Sequence, residues 1–107
     1  MTAKGIDGGV LRVGKNAKIL SIAGEVIAGV SAQSAIVLET VGAGAVNQAV
    51  KGVALARRQL EPEGRSLAIV PEVVEVPLGH GSQTVVHLTV VELDTYRSLI
   101  SKSSFEN

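Results

Sequence analysis

The sequence predicts an α/β domain of two layers in the order β-α-β-α-β-β, a four-stranded sheet with two helices on one face. Three observations predict it. Ile19, Ile22, Ala23, Val26, Ile27 and Val30 recur at spacings of three and four, the period of an amphipathic helix. Val46, Ala49, Val50, Val53 and Leu60 share a face of a second helix, which follows a strand-like run at residues 35–41. Residues 67–76 and 83–93 are rich in β-branched side chains, and Pro77-Leu-Gly-His-Gly81 between them reads as a hairpin connection.

Each element follows in turn. Residues 1–9 are glycine-rich and are expected to be flexible. Residues 10–13 form a short strand ending at Gly14, and the first helix is expected from Lys15 until Ser31-Ala-Gln-Ser34 closes it. After the buried strand at 35–41, Gly42-Ala-Gly44 turns the chain into a helix running from about residue 45 to 60. Asn47, Lys51 and Arg58 lie on its polar face, Arg57 and Arg58 suit the negative end of its dipole, and Pro62 with Gly64 stops it. Pro71 has no N–H for a ladder, which predicts a bulge or an edge strand there. The domain proper is therefore 10–93, with a C-terminal tail at 94–107 that can start a short helix at Asp94. Ile19, Ile22, Val26, Ile36, Leu38, Val50, Val53 and Ile69 are expected in the core.

Composition excludes several function classes. The 107 residues are 46% hydrophobic and 19% charged, enough apolar material for one folded domain. Ten basic residues balance ten acidic ones, so any attraction to a polyanion must come from a local patch. Cysteine is absent, which removes disulfides, thiolate metal sites and a cysteine nucleophile together. The opening MTAKGIDGGV lacks the roughly 7–15-residue apolar stretch of a signal peptide, and no run is long enough to span a membrane. A cytoplasmic protein without membrane contact is expected.

No motif carries catalysis. Gly42-x-Gly44 would need a third glycine at 47 to be a dinucleotide fingerprint, and that residue is asparagine; the ending of a P-loop is missing too. The two glycines are expected to serve a sharp turn and close helix–sheet packing. His80 and His87 fall in a turn and a strand with no local partner for a relay, and their spacing from each other and from Glu72 and Glu75 matches no zinc pattern. Neither enzyme chemistry nor a cofactor or metal is expected. Lys15 and Lys18 stand at the start of the first helix, where positive charge opposes the dipole by about 0.3–1 kcal/mol each. That placement, beside Gly14, suits either a pair of solvated surface lysines or a phosphate contact. On the same helix Ala17, Ser21, Gly24 and Ala28 form a strip of small residues, which suits either tight packing within the chain or a subunit contact.

The segment VGAGAVNQAVKGVALAR, followed by SLAIVPEVVEV, resembles the stage V sporulation protein S family, as does SIAGEVIAG in the first helix. The similarity covers about residues 10–92. The family is Alba-like, and its β-α-β-α-β-β fold, shared with the C-terminal domain of a bacterial translation initiation factor, agrees with the order read above. The resemblance implies a small bacterial developmental regulator, dimeric and nucleic-acid-binding if it follows Alba proteins. Those use basic residues in the first strand–helix loop, at the start of the second helix and in the hairpin. Here Lys15 and Lys18 match the first place. Gly42, Ala43 and Gly44 stand where Alba proteins often carry arginine, which leaves Asn47, Gln48 and Lys51 at the second. Glu72 and Glu75 replace the basic arm. Two readings stand: a non-catalytic regulator binding DNA or RNA weakly through Lys15, Lys18, Asn47, Gln48 and Lys51, or an oligomeric scaffold that binds no nucleic acid. Self-association is expected through Leu55, taken as exposed, with Tyr96, Leu99 and Ile100 of the tail.

Overall fold

The computed structural model describes residues 6–7 and 9–93. The chain runs β1 (Ile6–Asp7), β2 (Val10–Val13), α1 (Ile19–Gln33), β3 (Ala35–Thr40), α2 (Ala43–Leu60), a 3-10 turn (Glu61–Glu63), β4 (Leu67–Leu78) and β5 (Gly81–Glu92). Strand order in the sheet is β1-β2-β3-β5-β4. β2 and β3 are parallel, joined by α1 as a crossover, and every other pair is antiparallel.

The expected four strands and two helices are present, with one addition. Ile6 and Asp7, within the stretch expected to be flexible, pair with Leu11 and Val10. Gly9 at φ +84° turns the chain between them. Two residues carry no periodicity, so this strand leaves no pattern in the sequence.

The register explains the core. Leu11, Leu38 and Leu88 stand in one row across the sheet, and Ile36 and Val90 in another. All five are buried, facing Ile22, Ala23, Val26 and Val30 of α1 and Ala49, Val53, Ala56 and Leu60 of α2. Thr40 is the one buried polar residue among those described, and its hydroxyl donates to the Val86 carbonyl at 2.8 Å. Two glycines set close approaches, one between the two helices and one between helix and sheet. A Cβ on Gly52 of α2 would run into the Ile22 side chain of α1, and one on Gly29 would stand 2.8 Å from Ile36 Cδ1.

Two expectations about burial need correction. Val50 is 44% exposed, because α2 turns Ala45, Ala49, Gly52, Val53 and Ala56 inward and leaves Val50 on the flank. Leu55, taken as exposed, is half-buried against the core instead. Ile69 packs half-buried on the core, and Ile19 is half-buried.

β4 is the outer strand, as Pro71 predicts, and its register with β5 runs unbroken without a bulge. The hairpin is longer than its sequence pattern. The strands continue to Leu78 and resume at Gly81, leaving Gly79 and His80 as a two-residue loop. Gly79 has φ +59°, the sign that tight hairpin turns require at their first position. From residue 70 to 84 no side chain is buried, so the hairpin leaves the helix layer as an arm. Pro71 and Pro77 both lie in its outer strand.

Candidate nucleic-acid interface

The β2–α1 connection begins at Gly14. Ala17 N–H closes a turn onto the Gly14 carbonyl at 3.1 Å, which carries Lys15 and Asn16 to the surface. The helix starts at Ile19, four residues later than expected, because glycine and asparagine favour the turn and nothing before Ile19 drives helical burial. Lys18 is therefore the N-cap and Lys15 sits in the turn ahead of it; both are exposed.

The start of α2 lies against this loop. Gly42 adopts φ +90°, a backbone that a side chain resists, so the turn expected of the glycine stretch is present. Gly44 has a different partner from the one expected: a Cβ there would stand 3.0 Å from Lys15 Cβ, so it admits the loop rather than the sheet. Gln48 Nε2 donates to the Ala17 carbonyl at 2.8 Å and fastens the two segments together. Lys15, Lys18, Asn47 and Gln48 thus belong to one corner of the fold, with Lys51 one helical turn further along α2. Gln48 is half-buried, with its amide engaged by that bond.

Neither helix start receives a side-chain cap, and neither first turn contains a carboxylate. The first N–H groups of a helix have no partner within it, and the dipole adds partial positive charge there. Two such ends beside Lys15 and Lys18 make this corner electropositive in a chain of zero net charge.

Arg12 and Arg65, elsewhere in the fold, are engaged by carboxylates. Arg12 Nε and His87 Nε2 each lie 3.0 Å from Glu39 on the helix-free sheet face. These bonds, His87 first and then Arg12, hold the Glu39 carboxyl below its ordinary value. Arg65 binds Glu92 through two contacts of 3.0 Å, Glu63 at 3.1 Å and the Ser31 hydroxyl at 3.0 Å, and it lowers the Glu92 pKa in turn. Among the described residues, Lys15, Lys18, Lys51, Arg57 and Arg58 form no ion pair. Glu72 and Glu75 lie on the arm, where Glu75 accepts bonds from Ser82 and Thr84.

Beside the corner runs an open apolar cleft of about 690 Å³, between Ala43, Val46 and Val50 of α2 and Thr84 and Val86 of β5. The sequence-predicted contact residues Tyr96, Leu99 and Ile100 lie outside the described residues. On α1, Ser21, Gly24 and Ala28 are exposed, and a Cβ on Gly24 would meet nothing within 4 Å among the described residues. Ala17 packs half-buried against the core, whereas packing among the described residues does not explain Ser21, Gly24 and Ala28. Among the described residues no three His, Asp or Glu side chains gather as a metal site, and no helix is long and apolar enough to cross a membrane.

Residues 9–93 match the family model described as stage V sporulation protein S. The chain belongs to the stage V sporulation protein S family. Among solved structures it is similar to Alba from Thermoplasma volcanium, with a TM-score of 0.52 at 15% identity. That match covers 77% of this chain and 98% of the Alba chain. At such identity the likeness is one of fold: an α+β layer pair with the strand and helix order derived above.

Proposed function

We propose that this member of the stage V sporulation protein S family is a non-catalytic regulator that binds DNA or RNA weakly. Contact is made through the β2–α1 loop and the start of α2. What supports this reading above all is the pairing of two uncapped helix starts, neither with a carboxylate in its first turn, with Lys15 and Lys18 at one corner. Backbone N–H groups and ammonium groups there suit phosphate oxygens. Asn47 and Lys51 extend the contact, while Gln48 keeps the loop in place. No Phe, Tyr or Trp lies among the described residues, and phosphate contacts by lysine and backbone N–H groups carry no base information, so the contact is sequence-tolerant. The test is a titration of labelled DNA and RNA at about 50 and 200 mM salt, where affinity should fall steeply between the two. The double substitution Lys15→Glu/Lys18→Glu should abolish binding. Undiminished binding by that variant, or none by the native protein, would reject the proposal.

The apolar cleft favours a second reading, self-association. Val50, which lines the cleft, is 44% exposed, and Val73, paired across the sheet with the cleft residue Val86, is 67% exposed. The arm carries Glu72 and Glu75 but no lysine or arginine, whereas α2 carries Lys51, Arg57 and Arg58 but no carboxylate. A second copy offers each surface its complement, and closed dimers are the commonest solution among homo-oligomers. Light scattering should give a dimer or larger mass that Val50→Glu lowers. A native monomer at high micromolar concentration contradicts it.

A further inference from the structure

The exposed ridge of α2 continues the cationic corner. Gly44, Lys51 and Arg58 are spaced by seven residues, and seven residues turn a helix to within about 20° of its starting direction. Lys15 sits directly over Gly44, so Lys15, Lys51 and Arg58 line up along one side of the helix at intervals of about 10 Å. The buried face of α2 centres on Ala45, Ala49, Gly52, Val53 and Ala56, which places this line on the side turned away from the sheet.

An outer helix ridge is usually charged, and the dipole accounts for arginines in a last turn. Neither fact explains the rest. The 18 residues of α2 contain no carboxylate, although acidic partners four residues from a lysine would stabilise an exposed helix. Lys51 is mid-helix, beyond the reach of the dipole at either end. Arg57, the neighbouring cation, points elsewhere: its Nε donates to Ser66 Oγ at 3.2 Å.

We infer that the Lys51–Arg58 ridge of α2 is a track for the phosphate backbone of a nucleic acid, carrying the contact from Lys15 along the length of the helix. This rests on the nucleic-acid reading above and extends it to Arg58. The line from Lys15 to Arg58 is about 20 Å long, the axial rise of about six nucleotides of one duplex strand at 3.4 Å each. Three cations held on a rigid helix neutralise phosphates without reading bases, so the footprint is longer than the corner alone while sequence preference stays low.

The experiment compares Arg58→Glu with Arg57→Glu, which change net charge equally, using one labelled duplex of about 20 base pairs. Arg58→Glu should weaken binding about three- to tenfold, and Arg58→Ala should reduce the slope of log affinity against log salt by about one. Arg57→Glu should leave both near the native values. Equal losses in the two Glu variants would reduce the effect to net charge and overturn the track. Loss with Lys15→Glu/Lys18→Glu but none with either Arg58 variant would overturn the track and leave the corner standing. If the native protein binds no nucleic acid, both fall.

Discussion

The body and the arm of this protein are parts of the same sheet held by different means. In the body, β3 and the near half of β5 lie under two helices, and Leu38, Val26, Ala49 and Val90 are sealed from solvent. Its helices approach to the point where Gly52 and Gly29 tolerate no side chain. In the arm the same β5 and β4 continue with no helix above them, and Val73 and Leu78 are 67% and 60% exposed. There the ladder is supplemented by Glu75 bonds to Ser82 and Thr84 on the facing strand. The difference teaches where stability resides: burial governs the body, whereas the arm depends on its attachment to it.

The strongest way to break that comparison is Gly52→Ala. The added methyl group collides with Ile22 between α1 and α2, and overpacking of this kind costs about 1–3 kcal/mol. Thermal unfolding should move down by at least about 5 °C for a domain of this size. An unchanged midpoint would mean that the helix contact yields easily and that the body is looser than described.

A smaller effect sharpens the comparison at the seam. Glu39 joins Arg12 and His87 across β2, β3 and β5, in the row that continues to Glu72 at the base of the arm. Its folded pKa lies below the unfolded value, so its contribution is present above about pH 4.5 and is lost as pH falls through the folded value. Glu39→Gln should therefore lower stability at pH 7 by about 1 kcal/mol or less, and the gap from native should close as pH drops towards 3. Denaturant curves at pH 7 and pH 3 measure both. A gap that stays constant with pH would assign the loss to packing rather than charge.

How much of this was legible beforehand differs between these regions. α1 announces itself because its inward positions follow the helical period, and the arm because β-branched residues bracket a glycine-rich turn. Val50 misleads because periodicity marks an apolar face without saying how wide the contact beneath it is. Gly52 carries no local sign at all, since its need is set by Ile22, thirty residues away. The site divides in the same manner. Lys15 and Lys18 stand out as cations at a helix start, and Gly42 as a turn. That Gly44 receives the lysine loop, and that Gln48 ties it down, depends on two segments meeting in space. Arg58 was legible as a dipole partner and as a polar-face neighbour of Lys51, but that Lys15 stands in the same line depends on where the loop lies.

The two prolines of β4 have a consequence for crowded solutions. Backbone N–H directions alternate along a strand, and Pro71 and Pro77 are separated by an even number of positions, so their nitrogens face the same way. Neither can donate, and among the described residues β4 has a neighbour on one side only, so both fall naturally on the open margin. Along that margin Val73 and Glu75 keep the only two donors between the prolines. A foreign strand laid there finds two rungs and then a gap at each end, with the Glu75 carboxylate beside them. The protein can therefore carry a long, apolar, unshielded hairpin without offering a template for cross-β growth.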